Sequence, residues 1–187
     1  MKRRTLLKLI ALGPLGAVAA HVHAAPPKTM QGIEELQKNW KTLLAAGTEV
    51  PAPTPKLELS KEEWRERLEG LAYRVLREED TERAGSSPLD REKRPGVFVC
   101  AGCGLPVFTS AMKFDSGTGW PSFFTTIPGA FVTKTDYKII FPRTEYHCAR
   151  CGGHHGHVFD DGPPPTHQRY CINGVAMNFT ADDKGND

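Results

Sequence analysis

The sequence carries very little net charge. Its 187 residues contain 24 lysines and arginines against 22 aspartates and glutamates, which gives a formal net charge of +2. The small excess is concentrated in residues 1–24, where Lys2, Arg3, Arg4 and Lys8 stand without an acid, so removal of that segment changes the charge to −2 (+2 − 4). Binding of nucleic acid through a basic surface is therefore not expected.

A long hydrophobic run is also missing. The most apolar stretch, Leu6 to Ala20, is 15 residues long and is interrupted by glycine and proline, whereas a membrane-spanning helix needs about 20 apolar residues. Lys2-Arg3-Arg4 before it and Val22-His23-Ala24 after it are typical of an export signal, and the paired arginines favour the twin-arginine type. We expect a cleaved signal over residues 1–24 and a periplasmic protein without a stable membrane anchor. An ordinary secretory signal that happens to carry two arginines is the alternative.

Low-complexity tracts are absent, and no internal repeat is seen beyond the two CxxC turns. The chain is long enough for one packed domain with an extension. Residues 25–56 are expected to contain a spacer, a short helix over Ile33 to Ala46 and a proline-rich linker that separates this appendage from the domain. The domain is placed at residues 57–183, and residues 184–187 form a tail.

Helical signals come first and strand signals follow. Ser60 and Glu63 form a capping-box pattern that predicts a helix start, and residues Tyr73 to Glu79 are expected to continue helical after Gly70. From Val97 onward no helices intervene, so the fold class is expected to be mainly β (α+β) with antiparallel sheets. The β-prone runs are Val97–Val99, Leu105–Phe108, Ala130–Thr133, Lys138–Phe141, His157–Phe159 and Arg169–Phe179.

Five cysteines are present, four of them in two CxxC pairs. Cys100 with Cys103 and Cys148 with Cys151 suit one structural, tetrahedral zinc site, and each pair is followed by a turn-forming glycine. Two disulfides are the alternative in an oxidising compartment, although folding before export favours metal. Cys171 is left as the odd thiol.

The surroundings of Cys171 favour a reactive thiol. Strand alternation places Arg169, Cys171 and Asn173 on one face. An arginine beside a thiol favours the thiolate, which is the reactive form, and an asparagine can hold a neighbouring imidazole or water. An inert core cysteine is the alternative.

A histidine cluster, His154, His155 and His157, follows the second cysteine pair. General acid or base catalysis is favoured over zinc ligation, because four cysteines already complete a zinc shell. Strict alternation would place His155, His157 and Phe159 together, yet Gly156 permits a bend that turns His154 inward. A solvated patch is the alternative for His155.

Taken together, the motifs resemble the methionine-R-sulfoxide reductase B family. A CxxC pair, the run Gly-x-Gly-Trp-Pro-Ser-Phe from Gly117, CxxCGGH, GHVFDDGP and Arg-Tyr-Cys-Ile-Asn follow in that order between about Glu62 and Phe179. The resemblance implies a β-tent fold of two antiparallel sheets with N-terminal helices packed outside. It also implies one structural Zn²⁺ and repair of the R epimer of methionine sulfoxide in oxidised proteins.

The resemblance further implies a set of site residues. These are the catalytic Cys171, His157, His154, Asn173 and Arg169, and the substrate-binding Trp120 and Phe159. Cys171 would attack the sulfoxide sulfur while a histidine supplies the proton. Arg169 and Asn173 would order that network, with Asn173 orienting a histidine, and Trp120 would form the wall against which the substrate methyl group packs.

One residue departs from the family pattern. Thr118 stands where many relatives carry a cysteine that resolves the oxidised nucleophile. A thioredoxin-like protein or a small dithiol is therefore expected to reduce Cys171 directly, in a monomeric enzyme. A zinc-stabilised binding module with a non-catalytic Cys171, or a dithiol oxidoreductase acting through a CxxC pair, are the alternatives.

Overall fold

A computed structural model describes residues 26–45, 47–137 and 141–182. The expected signal over residues 1–24 and the tail at residues 184–187 lie outside this range. In the part of the chain that is described, no helix is both long and apolar enough to cross a membrane.

Nine strands of the described residues form two sheets whose pairings are all antiparallel. They are β1 (Gly96–Cys100), β2 (Pro106–Thr109), β3 (Lys113–Phe114), β4 (Ser122–Phe123), β5 (Phe131–Asp136), β6 (Arg143–Cys148), β7 (His154–Phe159), β8 (Arg169–Ile172) and β9 (Met177–Ala181). The smaller sheet has the order β2-β1-β9, and the larger has the order β3-β4-β8-β7-β6-β5. The predicted fold class, mainly β with two antiparallel sheets and few helices, is confirmed.

Three α-helices precede the sheets: α1 (Met30–Lys38), α2 (Lys61–Arg67) and α3 (Gly70–Glu78). The predicted capping box opens α2, because the Ser60 backbone N–H donates to the Glu63 carboxylate at 2.8 Å and the Glu63 N–H donates to the Ser60 hydroxyl at 3.3 Å. Trp64 of α2 and Leu76 of α3 are buried in the main hydrophobic core. Their apolar faces therefore anchor both helices to the sheets.

The sequence suggested that the segment before α2 is an appendage separated from the domain. In the structure this segment packs against the domain. Ile33 is buried, Trp40 packs against the main core, and the Gln37 amide donates to the Thr125 hydroxyl at 2.8 Å. Helix α1 ends at Lys38, and a separate 3₁₀ turn over Trp40–Leu43 follows it. The predicted single helix is therefore two shorter elements. An apolar helix face gains stability only against a partner, and here that partner is the domain.

One predicted strand lies mostly outside the described residues, and another was wrong in detail. Within the predicted strand Lys138–Phe141, residues 138–140 lie outside the described range and Phe141 is an exposed bend, whereas β6 was not predicted at all. The predicted run Arg169–Phe179 is two strands, because a 3₁₀ turn at Gly174–Ala176 takes the chain from β8 in the larger sheet to β9 in the smaller one. A Cβ on Gly174 would lie 2.0 Å from the Ser87 hydroxyl, so the crossing requires glycine.

Aromatic side chains fill the space between the sheets. Phe108 stacks on Phe123 with ring centroids 4.0 Å apart, and Phe98 meets Phe123 edge-on at 5.1 Å. Tyr146 is fully buried, and its hydroxyl donates to the Cys171 carbonyl at 3.1 Å. The core thus fixes the strand that carries the odd cysteine.

Candidate active site and metal centre

The two cysteine pairs converge on one buried point. The Cys100 and Cys151 sulfurs are 3.6 Å apart and the Cys103 and Cys148 sulfurs 3.5 Å apart, with all four within 4.8 Å of one another. A tetrahedral zinc ion with Zn–S bonds of 2.3 Å has sulfur–sulfur separations of about 3.8 Å. The four side chains therefore fit one tetrahedral metal ion. All five cysteines are free thiols, so the alternative of two disulfides is not seen.

Matching turns present the two pairs. The Gly104 N–H donates to the Cys100 carbonyl at 2.8 Å, and the Gly152 N–H donates to the Cys148 carbonyl at 2.9 Å. Both glycines have φ near +70°, a conformation that other residues rarely adopt. The glycine after each CxxC pair thus has the turn-forming role that the sequence indicated.

Positive charge surrounds the four sulfurs. Three arginines donate to carbonyl groups of the cysteine turns: Arg67 to Gly102, Arg77 to Cys151 and Arg150 to Cys103. A metal site of four thiolates carries net negative charge, and nearby guanidinium groups lower its cost in a buried position.

Cys171 lies in the middle of β8, between two partner strands. It pairs with Ser122 of β4 on one side and with His157 of β7 on the other. A Cβ on Gly156 would lie 2.0 Å from the Cys171 carbonyl oxygen, so only glycine allows β7 this close to β8. Directly opposite residues in such a pair have Cβ atoms about 4.5–5.5 Å apart. The fold therefore brings the predicted nucleophile beside a predicted active-site histidine.

Burial raises the pKa of the Cys171 thiol above its ordinary value, while Arg169 and the Thr118 hydroxyl oppose this increase. The arginine acts in the direction that the sequence indicated, but desolvation outweighs it. The resting group is therefore a thiol at neutral pH. This influence places residue 118, although distant in the chain, near the sulfur of the predicted nucleophile.

Arg169 is held in place by two contacts. Its guanidinium donates twice to the Asp161 carboxylate, at 2.7 and 2.8 Å, and stacks on the Phe159 ring at 4.4 Å. A bidentate pair fixes the plane of the guanidinium. Phe159 thus supports the arginine as well as lining the cavity described below.

His157 points to a buried carboxylate. Because a carboxylate oxygen accepts, the His157 Nε2–H donates to Asp136 at 2.8 Å, and Asp136 also pairs with Arg143 at 2.6 Å. Burial lowers the pKa of His157, with Asp136 opposing. The neutral ring then leaves Nδ1 free to accept a proton.

A register shift between β6 and β7 leaves His155 as an extra residue in β7 and breaks the strict alternation there. His154 and His157, which strict alternation would place on opposite faces, have ring centroids 5.7 Å apart. His154 faces the Glu145 carboxylate, and burial lowers its pKa to about 4. His155 is fully buried against the Cys100 sulfur at 3.4 Å, so the alternative of a solvated patch is wrong for this residue.

Asn173 is buried and contacts backbone groups. Its amide N–H donates to the His155 carbonyl at 3.1 Å, and its carbonyl oxygen accepts from the Glu82 N–H at 2.9 Å. Asn173 was predicted to orient an imidazole. In the structure its side chain instead links the main chain at His155 to the main chain at Glu82. Glu82 completes this link, since its carboxylate accepts from the Gly174 and Val175 N–H groups at 2.7 and 3.0 Å.

These side chains border an open cavity of about 230 Å³. Its lining consists of Thr81, Trp120, Arg143, Gly156, His157, Phe159, Cys171, Ile172 and Asn173. Trp120 is positioned by its indole N–H, which donates to the Glu82 carbonyl at 3.1 Å. Two of the predicted site residues do not line the cavity. His154 packs against His157, and Arg169 packs against Phe159, and both of these partners do line it.

Sequence reasoning missed the buried carboxylates that hold the site. Glu82, Asp136 and Glu145 are each at most a few percent exposed, and each contacts a site residue or its backbone. Asp136 and Glu145 lie on β5 and β6, and the failure to predict β6 concealed their position opposite the histidines. An acidic residue within a β-prone run is the signal that could have found Asp136 and Glu145.

Comparison with known proteins agrees with this geometry. The family described as the SelR domain matches residues 68–181. "Peptide methionine sulfoxide reductase MsrB" of Methanosarcina barkeri is 48% identical over 130 residues, covering 69% of this chain and 92% of that protein. The protein of the same name from Agrobacterium fabrum is 49% identical over 127 residues, covering 67% and 94%.

Among solved structures, the "Yippee-like" domain of Mis18 is similar with a TM-score of 0.37 and 18% identity, covering 46% of this chain and 96% of that one. The family match spans both cysteine pairs, the histidine cluster and Cys171. This chain belongs to the methionine-R-sulfoxide reductase B family.

Proposed function

We propose that the chain reduces the R epimer of methionine sulfoxide in oxidised proteins to methionine. The observation that carries this proposal is the pairing of Cys171 with His157 at the edge of a cavity that also contains Trp120. Family membership gives independent support, since the relatives named above are methionine sulfoxide reductases. Neither a binding module nor a dithiol oxidoreductase needs this combination.

The chemistry starts from a thiol and a neutral imidazole. His157 takes the proton of Cys171 at Nδ1, and the thiolate attacks the sulfoxide sulfur. The oxygen gains negative charge as its bond to sulfur breaks, and it receives the same proton. Loss of this hydroxide leaves Cys171 joined to the substrate sulfur as a sulfonium. Hydroxide then attacks the Cys171 sulfur, the sulfur–sulfur bond breaks with its electron pair on methionine, and Cys171 becomes a sulfenic acid. Trp120 and Phe159 bind the apolar end of the substrate, which selects one epimer by shape.

An external dithiol completes the cycle, because no cysteine stands at position 118. One of its thiols attacks the sulfenic acid of Cys171 and releases water, and its second thiol then frees Cys171 by forming a disulfide in the reductant. A thioredoxin-like protein or a small dithiol fits this role. We also propose that the chain works as a monomer, since one chain supplies the whole cavity.

The four cysteines hold a structural Zn²⁺ in this proposal. Their thiolates, spaced for a tetrahedron, provide a closed donor set that zinc prefers. Zinc would supply stability rather than reactivity there, because a four-thiolate shell leaves no open position for substrate.

Export to the periplasm through the twin-arginine route is proposed from residues 1–24 alone. Fractionation of cells expressing the full chain tests it. The protein should appear in the periplasmic fraction, and replacement of Arg3-Arg4 by Lys-Lys should retain it in the cytoplasm. Unchanged export of the lysine variant would favour an ordinary secretory signal.

The activity is tested by a stereospecific assay on both epimers of a methionine sulfoxide peptide, with dithiothreitol and with a thioredoxin system. Turnover of the R epimer alone is the expected result. Equal turnover of both epimers, or of neither, would contradict the proposal. A single-turnover reaction without reductant should yield one methionine per enzyme and a sulfenic acid that can be trapped.

A further inference from the structure

We propose that the chain holds a second metal site, formed by Glu145, His147 and His154 and suited to a divalent transition ion such as Zn²⁺. This proposal goes beyond the reductase activity and does not rest on it. The site is separate from the four cysteines, because it uses imidazole and carboxylate donors.

The strands bring these three side chains together. Glu145 and His147 are two residues apart on β6, so alternation places them on one face. His147 pairs with His154 across the ladder between β6 and β7, beside a bulge at Tyr146. One donor atom of each side chain lies within 4.8 Å of the other two. Glu145 is 1% exposed and His154 is 2% exposed.

The ring nitrogens of both histidines face the same carboxylate oxygen. His147 Nε2 is 3.3 Å from Glu145 Oε1, and His154 Nδ1 contacts that oxygen too. Neither nitrogen has hydrogen-bond geometry to a partner among the described residues. Ligands of one tetrahedral ion bound at about 2.0–2.1 Å are themselves about 3.3 Å apart, which matches the distance between His147 and Glu145. His154 Nδ1 lies closer to Glu145 Oε1 than this and would move away from it when an ion binds.

The second nitrogen of His147 shows how the ring is protonated. Because a carbonyl oxygen only accepts, the His147 Nδ1–H must donate to Gly152, at 3.2 Å. A neutral ring then directs the lone pair of Nε2 towards the Glu145 carboxylate, an unfavourable contact unless a cation lies between them. Metal-binding histidines are commonly held in this way, by a backbone carbonyl on the other nitrogen.

Lys134 pairs with one oxygen of the Glu145 carboxylate, which leaves the other oxygen for the ion. Lys134 Nζ is 3.2 Å from Glu145 Oε2 and 2.6 Å from Glu79, so it engages the second oxygen of Glu145 while Glu79 offsets its charge. Glu145 can therefore bind the ion through Oε1 alone. The competing explanation is a proton on His147, which would make the cluster an ion pair without metal.

The donor set indicates the class of ion. Two imidazoles and one carboxylate suit Zn²⁺, Fe²⁺, Co²⁺ or Ni²⁺ rather than Mg²⁺ or Ca²⁺, which prefer oxygen ligands. Three protein ligands also leave an open position for water. The ion would lie close to the catalytic cavity, since His154 is 5.7 Å from His157 between ring centroids.

Metal counting on the zinc-loaded protein tests this site. Untagged protein is dialysed against micromolar free Zn²⁺, and zinc and protein are measured in the same sample. We expect two ions per chain in the unmodified protein and one in His147→Gln. His167→Asn is the matched control, because His167 is an exposed histidine outside the cluster and should leave two ions.

Co²⁺ added to protein that holds one zinc ion per chain, before the dialysis against Zn²⁺, reports which donors bind it. Weak visible bands without an intense sulfur-to-cobalt transition in the near ultraviolet are expected, and they should be absent in His147→Gln and in Glu145→Gln. Retention of one zinc ion by each variant shows that the fold survives. A single ion in the unmodified protein, or two in His147→Gln, would overturn the proposal and leave a protonated ion pair.

Discussion

His157 lies directly opposite Cys171 in the pairing of β7 with β8. The pairing depends on Gly156, which lets the two backbones approach, and on Tyr146, which bonds the Cys171 carbonyl from the core. The proposed nucleophile and the proposed proton carrier are thus fixed by main-chain geometry rather than by a flexible loop. Rigid strands are well suited to hold two reacting groups at a constant separation.

The two kinds of cysteine should be separable by mutation. Cys171→Ser removes the nucleophile, so reduction of the R-sulfoxide should fall at least about a thousandfold, while the zinc content stays unchanged. Cys100→Ser removes a metal ligand instead and should lose zinc together with thermal stability. Paired activity and zinc measurements check both variants. Full turnover by Cys171→Ser would contradict the assignment of the nucleophile.

Thr118→Cys should restore an internal route for reduction. The Thr118 hydroxyl lies close enough to Cys171 to lower the pKa of its thiol, so a thiol at this position is expected to reach the sulfenic acid. After one turnover without reductant, thiol counting should show two thiols lost per chain in the variant and one in the unmodified protein. Thr126→Cys is the control, because Thr126 lies elsewhere. Persistence of a sulfenic acid in Thr118→Cys would show that the sulfurs do not meet.

The reactivity of Cys171 should increase with pH into the alkaline range. Burial raises the pKa of the thiol, so the thiolate fraction is small at neutral pH and grows as the pH approaches that pKa. Arg169→Met removes a group that lowers the pKa, and it should shift the whole profile to higher pH. Rates of iodoacetamide alkylation against pH measure this, with the exposed Arg91→Met as control. A shift to lower pH in Arg169→Met would be inconsistent with the electrostatic role.

Glu82→Ala should weaken the turn that follows β8. The change leaves the Gly174 and Val175 N–H groups without their acceptor, and unsatisfied buried donors cost about 1–3 kcal/mol each. We expect a loss of roughly 2–6 kcal/mol in the free energy of unfolding. We also expect a lower kcat, because a looser turn would disturb the Glu82 backbone N–H and carbonyl that bond Asn173 and Trp120. Urea unfolding checks the stability, and the exposed Glu66→Ala should change it little.

Local patterns predicted the parts of the fold that depend on neighbouring residues. The capping box at Ser60 and the turns after each CxxC pair follow from chemistry within a few positions, and the structure contains them. The crossing between β8 and β9 could not be predicted in this way. It depends on Gly174 meeting Ser87, which is a contact between distant parts of the chain.

The same distinction applies to the candidate site. Cys171 and the histidines were identified from motifs, and the structure brings Cys171 and His157 together. Asp136 and Glu145, which hold His157 and His154, come from strands whose register no local pattern specifies. Sequence patterns extend over only a few residues. They therefore identify candidate reacting groups more readily than the buried charged groups that contact them from other strands.

The cysteine cluster joins the two sheets, because Cys100 ends β1 of the smaller sheet and Cys148 ends β6 of the larger one. A bound ion would make them one cooperative unit in hydrogen exchange, so that amides of β1 and β6 open together. Without it, the sheets could open in separate steps. The rigidity of β8, which carries Cys171, would then depend on an ion that does not contact the substrate.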